Sequence, residues 1–123
     1  ETMRAAGLTD IATVLDTSAH LIQAKHPKGD LELIETIKSR IEGVMTAQRY
    51  VYCTYNAAKI SLPTLLAITP GRKAPTLTNV GDDGEWIAVA AMIEKNKEGA
   101  NMDELKKNGA TDIIVFDISN CRV

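Results

Sequence analysis

The stretch Ile68-Thr69-Pro70-Gly71-Arg72-Lys73-Ala74-Pro75-Thr76 sets a Pro-Gly turn and a second proline between an apolar helical segment and two alternating strands. Proline and glycine are the strongest local breakers of regular structure, so the run separates two elements. Upstream of it, Tyr50–Ala57 alternates as a strand and Leu62–Ile68 has the spacing of a short helix. Downstream, Ala74–Val80 and Glu85–Glu94 read as a hairpin joined at Asp82-Asp83-Gly84, followed by a helix over Asn101–Asn108 and a last strand over Ile113–Ile118. The resulting βαββαβ order predicts a small ferredoxin-like α+β module.

Local signals agree with these elements. Ser61 is placed to cap the first helix, where Pro63 is tolerated because first-turn amides lack intrahelical partners. Asn101 with Glu104 three residues on has the pattern of a capping box, and Gly109 suits the left-handed residue that closes a helix. Asp82-Asp83-Gly84 reads as a tight turn, since no further carboxylates follow at the spacing a metal site needs. In the first strand Val51, Cys53 and Tyr55 point one way and Tyr50, Tyr52, Thr54 and Asn56 the other, so one face belongs to the core.

Residues before 50 do not fit inside the module. Met3–Ala6 followed by Gly7-Leu8 predicts a helical turn closed by glycine, and Ile11–Leu15 and Leu21–Gln23 read as short strand pieces with no core of their own. The Pro- and Gly-punctuated run Ala24–Gly29 is the expected linker. From Asp30, a good N-cap, apolar residues at Leu31, Ile34, Ile37, Ile41, Val44 and Met45 predict a helix to about Arg49. With no initiating methionine or leader at Glu1-Thr2-Met3-Arg4, the chain reads as a piece of something longer.

The 123 residues suffice for one domain and an overhang, a size at which folding buries about two-thirds of the unfolded surface. A hydrophobic fraction of 45% and a net charge of −2, with charges well mixed, are those of a cytosolic globular protein. No clustered basic face offers to hold a nucleic-acid backbone, and no apolar run approaches the ~20 residues of a membrane span. Cys53 and Cys121 form neither a CxxC pair nor a disulfide framework, which points to a reducing compartment. His20 and His26, six residues apart, suit no zinc site, and no nucleophile elbow, Walker loop or dinucleotide loop is present. On spacing alone this is a binding or regulatory module and not a complete enzyme.

Several blocks carry a resemblance. Glu1–Leu8 (Glu-Thr-Met-Arg-Ala-Ala-Gly-Leu), Arg40–Tyr50 (Arg-Ile-Glu-Gly-Val-Met-Thr-Ala-Gln-Arg-Tyr) and the Ile68–Thr76 run resemble the C-terminal part of the ATP phosphoribosyltransferases. Trp86-Ile87-Ala88-Val89, Met102-Asp103-Glu104-Leu105, Gly109-Ala110 and Asp117-Ile118-Ser119-Asn120-Cys121-Arg122-Val123 are similar to the long, fungal-like form of that family. The order and spacing of these blocks match together over essentially the whole chain.

The resemblance implies the first enzyme of L-histidine biosynthesis, which joins ATP to phosphoribosyl pyrophosphate with Mg²⁺ to give phosphoribosyl-ATP and pyrophosphate. It implies that residues 1–29 are a remnant and linker of a catalytic part resembling periplasmic binding proteins. Residues 30–123 would be a helix leading into an ACT-like regulatory domain that senses histidine. The fragment would carry no catalytic residues and no Mg²⁺ site, be inactive alone, and belong to a cytoplasmic hexamer. Thr2 would be the tail of a loop cradling the substrate's 5′-phosphate; read without the family it is a fair helix N-cap.

For the regulatory ligand, whose ammonium, carboxylate and imidazole need acceptors and donors, the family pattern implies Asn56, Arg72, Thr76, Met92 and Asp112. Where bacterial relatives have an aspartate, this chain has the neutral Asn56, which can still accept from an ammonium but without charge assistance. Read without the family, Asn56 and Asp112 are turn residues and Thr76 a strand residue. A stand-alone ferredoxin-like module for a small ligand or for signalling explains the element order equally well, but not the overhang of residues 1–29.

Overall fold

The computed structural model describes residues 2–82 and 84–122, the side chains of Thr2 and Arg4 excepted. Its elements are α1 (Thr2–Ala5), α2 (Leu31–Ala47), β1 (Tyr50–Ala58), α3 (Leu62–Ile68), β2 (Thr76–Val80), β3 (Trp86–Glu94), a 3₁₀ turn (Lys95–Lys97), α4 (Glu98–Lys107) and β4 (Thr111–Asp117). The chain divides into two compact units, Glu1–Leu31 and Glu32–Val123.

In the first unit, Gly7 at φ 71° closes α1, and the Leu8 amide donates back to the Met3 carbonyl at 3.0 Å. The strands expected over Ile11–Leu15 and Leu21–Gln23 do not form; both segments lack regular structure. A strand persists only where its amides and carbonyls find a ladder, and these pair with no strand among the described residues. Ile11 and Val14 are accordingly 101% and 97% exposed.

In the second unit, from β1 onward, strands and helices follow one another as β-α-β-β-α-β, and the four strands form one antiparallel sheet in the order β2-β3-β1-β4. Central β1 pairs with β3 without a slip, from Tyr50 opposite Glu94 to Ala58 opposite Trp86. The alternation in β1, which leaves the choice of core face open, resolves with Val51, Cys53, Tyr55 and Ala57 buried and Tyr52 facing out. Ile87, Val89, Ala91 and Ile93 of β3 bury the same face, which α3 and α4 cover through Leu65 and Leu105. The Thr69 hydroxyl at the end of α3, fully buried, meets the Tyr55 hydroxyl at 2.8 Å and donates to the Leu65 carbonyl at 3.3 Å. Burial pushes the Tyr55 phenol up against the opposing effect of this bond, and pushes the Cys53 thiol up to about 11, helped by the charge of Glu98.

Strand β4 starts at Thr111, two residues ahead of the expected Ile113, so Asp112 lies inside it, and two further boundaries depart from expectation. Helix α4 starts at Glu98 and not at an Asn101 cap, because β3 passes through the 3₁₀ turn straight into it; Lys97 occupies the cap position without a side-chain bond. Its far end closes as expected, with Gly109 at φ 89° donating to Lys106 at 3.2 Å and Ala110 donating to Leu105 at 3.0 Å, the Schellman pattern. Strand β2 begins at Thr76, two residues after Ala74, since the turn at Gly71 (φ 69°) and Pro75 keeps Arg72–Ala74 off the ladder. The expected turn at Asp82-Asp83-Gly84 falls partly on Asp83, outside the described residues. Ser61 precedes α3 without a side-chain cap bond.

Helix α2 forms where its apolar spacing places it but buries the other side. Gly43 and Ala47 are its buried residues, while Leu33, Ile37, Ile41, Val44 and Met45 stay exposed.

Candidate functional site

The face of the sheet away from α3 and α4 is open. Tyr52 lies opposite Met92 on β3 and opposite Phe116 on β4, and Thr54 lies opposite Ala90 and Ile114. The expected ligand contacts, implied as one set, fall into two groups at different places on this sheet.

The first group is built by a break in register. On β4, Ile114 pairs with Thr54 but Thr111 pairs with Asn56, so Asp112 and Ile113 together oppose Tyr55. This is a β-bulge, and Asp112 takes its left-handed position at φ 51°, a conformation aspartate tolerates better than most side chains. The bulge aims the Asp112 carboxylate at Asn56, whose Nδ2 donates to Oδ2 at 3.0 Å, while the Thr111 hydroxyl donates to the same oxygen at 3.1 Å. Asn56 thus spends its amide on Asp112, and its carbonyl oxygen is the acceptor left for an ammonium.

The second group lines a groove of about 280 Å³, walled by Tyr52, Arg72, Lys73, Thr76, Ala90 and Met92, with Ala74 and Ala91 completing it. Gly71 brings the loop back over β3: a side chain there would meet the Ala74 carbonyl carbon at 3.0 Å and the Pro75 nitrogen at 3.2 Å. Two cations at the mouth of a partly apolar groove suit a small carboxylate-bearing ligand with an unsaturated ring. Asn56 and Tyr52 are four residues apart on β1, about 13 Å at 3.3 Å per residue. Thr76 and Ala90 bring the groove to the level of Thr54, two residues from Asn56, so the two groups neighbour one another on the open face.

Of the implied residues, the structure joins Asn56 to Asp112, and Arg72 to Thr76 and Met92. The Thr2 contact rests on a side chain outside the described residues. Thr111 joins the first group and Lys73 the second without being candidates on sequence grounds. Lys73 stands in the quoted Pro-Gly run and Tyr52 on the outward side of an alternating strand, whereas nothing local marks Thr111. Among the described residues no three of His, Cys, Asp and Glu come together to hold a metal ion. No described helix is long and apolar enough to cross a membrane.

The family model described as HisG, C-terminal domain, matches residues 47–120, the whole of the sheet and its two covering helices. The chain belongs to the HisG C-terminal domain family. Along its full length it is 70% identical to an ATP phosphoribosyltransferase of Kluyveromyces lactis and 65% identical to one of Saccharomyces cerevisiae. Over 99% of its length it is 46% identical to the ATP phosphoribosyltransferase of Schizosaccharomyces pombe. The chain spans 41%, 41% and 39% of these three relatives, so the HisG C-terminal domain here accompanies only a minor share of such a protein.

Proposed function

We propose that this chain is the C-terminal part of an ATP phosphoribosyltransferase of L-histidine biosynthesis and that its sheet domain is the sensor for feedback inhibition by histidine. The observation that carries this reading is the identity of up to 70%, over the full length of the chain, to proteins of that name. The four-stranded antiparallel sheet with two helices on one face supports a ferredoxin-like, ACT-like domain. Residues 1–29 are the remnant of the periplasmic-binding-protein-like catalytic lobe, with Thr2 the tail of its phosphate loop. The exposed Ile11, Val14 and Ile22 are surfaces that the rest of the enzyme covers. Catalysis, with ATP, phosphoribosyl pyrophosphate and Mg²⁺, belongs to that missing part of a cytoplasmic hexamer.

Histidine meets both groups when two sheet domains face one another: the carbonyl of Asn56 and the carboxylate of Asp112 take the ammonium from one copy. Arg72 and Lys73 of the other take the carboxylate, with the ring over Met92. Such a ligand favours one assembly because it binds that arrangement better.

The reading is tested by thermal shift of the chain with millimolar L-histidine, using histamine, which lacks the carboxylate, as the control. The melting temperature rises with L-histidine, more at higher chain concentration, and stays put with histamine. No response to either compound at any chain concentration refutes the sensor.

A further inference from the structure

We propose that the C-terminal tail, residues 118–122, is a strap that fixes α2 against the strand domain. The attachment runs through the small side of the helix. Gly43 and Ala47, one turn apart, are its buried residues, and the broad apolar arc through Ile37, Ile41 and Val44 takes no part in it. Over Gly43 the tail comes so close that a side chain there would lie 2.7 Å from Asn120 Oδ1 and 3.3 Å from Arg122 Cγ. The Cys121 amide donates to the Gly43 carbonyl at 3.0 Å, using a lone pair that the helix ladder leaves over.

Glycine within a helix is destabilising relative to alanine, so its presence inside a seventeen-residue helix calls for a compensating contact, and the tail lying in the notch supplies one. The start of the tail is held separately. Lys95, at the end of β3, reaches the carboxylate of Asp117 at the end of β4, and its own amide donates to the Arg49 carbonyl at the α2–β1 junction at 2.9 Å. The hydrogen bond and charge of Asp117 raise the pKa of Lys95. This pair is exposed and contributes little by itself. It sets the direction in which the tail leaves the sheet, and the backbone bond to Gly43 completes the strap. The strap ties α2 to the last strand whatever the sheet binds, and does not rest on the ligand proposed above.

The native thiols report on it. Cys121 is partly buried in the strap, and Cys53 is fully buried in the core. Alkylation of the native chain, followed for each cysteine peptide by mass spectrometry, separates opening of the strap from unfolding. Gly43→Phe places a side chain that no turn of the Asn120 amide can clear, drives the tail out of the notch and speeds alkylation of Cys121 by about tenfold, equivalent to ~1.4 kcal/mol, while Cys53 keeps its protection. Gly43→Ala meets only the movable side chains of Asn120 and Arg122 and leaves the Cys121 rate close to parental. An unchanged Cys121 rate in Gly43→Phe overturns the proposal. If Gly43→Phe exposes both thiols, hydrogen exchange at the Cys121 amide of the parent decides: protection of that amide supports the strap, and free exchange overturns it.

Discussion

Asp112 combines a left-handed backbone with a carboxylate held by Asn56 and Thr111, and two substitutions separate these properties. Asp112→Gly keeps φ 51° without strain, so its stability stays near the parent, whereas Asp112→Ala forces an alanine into that conformation and costs about 1–2 kcal/mol. Both lose the ammonium acceptor and with it the response to L-histidine, which urea titration and thermal shift read independently. A full histidine response in Asp112→Gly would remove this residue from the sensor. Cys53 governs a different property. Its thiol is neutral in the fold up to about 11 but ionises from 9.0 in the unfolded chain, so the unfolded state sheds its proton first. The stability that this asymmetry contributes is complete below pH 9 and is lost as pH rises toward 11, by about 3 kcal/mol for a shift of two units. Cys53→Ala therefore flattens the fall in urea midpoint over that window while leaving the part due to Tyr55, whose phenol is also pushed up by burial. An alkaline fall as steep in the variant as in the parent would exclude the thiol as its source.

Among the elements, the loop from α3 to β2 is the one whose shape most directly sets the groove. Gly71 is left-handed, and an added methyl meets the backbone of Ala74 and Pro75, atoms that cannot swing aside as a side-chain tip could. Gly71→Ala therefore costs more than the ~1–2 kcal/mol of the left-handed penalty alone and moves Arg72 and Lys73 off the groove. Urea unfolding gives the first effect and a weakened histidine shift the second; a variant with parental stability would refute the close approach. The same loop shows what a sequence can reveal. The Pro-Gly run marks its turn openly, and the period of two in Tyr50–Ala58 and Trp86–Glu94 gives both strands and the two sides of each, while which side is buried depends on where α3 and α4 pack. The start of α4 was hidden because Asn96 and Gly99 read as loop, while the chain turns from β3 into helix with no loop at all. The meeting of Asn56 with Asp112, 56 residues apart, depends on a bulge that shifts register between two strands, and neither strand's own alternation records it. The expected pieces at Ile11–Leu15 and Leu21–Gln23 have strand composition but no partner, and composition alone does not supply a ladder.

For the whole molecule, the division between Glu1–Leu31 and Glu32–Val123 separates parts of very different local stability. Between Leu8 and Asp30 no residue belongs to a helix or strand, and Leu15, Leu21 and Ile22 are mostly exposed, so opening this backbone breaks almost no buried contact. In the second unit every strand is laddered, and Leu65 and Leu105 seal the sheet at 0% exposure. Truncating either leucine to alanine removes buried carbon from a closed core and costs about 2–5 kcal/mol, against a total of about 5–15 kcal/mol for an ordinary domain. That contrast fixes the order of proteolysis. Trypsin finds Lys25 and Lys28 in backbone free of regular structure, whereas Lys59, Lys95 and Lys107 lie beside or inside laddered elements. First cleavage after Lys25 or Lys28 releases the upstream segment and leaves a resistant fragment that contains α2 and the complete sheet. Because the residues of both ligand groups lie at or beyond Tyr52, that fragment keeps the parental melting temperature and its response to L-histidine. Mass spectrometry of the earliest products identifies the sites; Arg72 and Lys73 offer a secondary site on the loop off the ladder, and initial cuts inside the strands or helices of residues 50–117 would show that the sheet domain does not stand by itself.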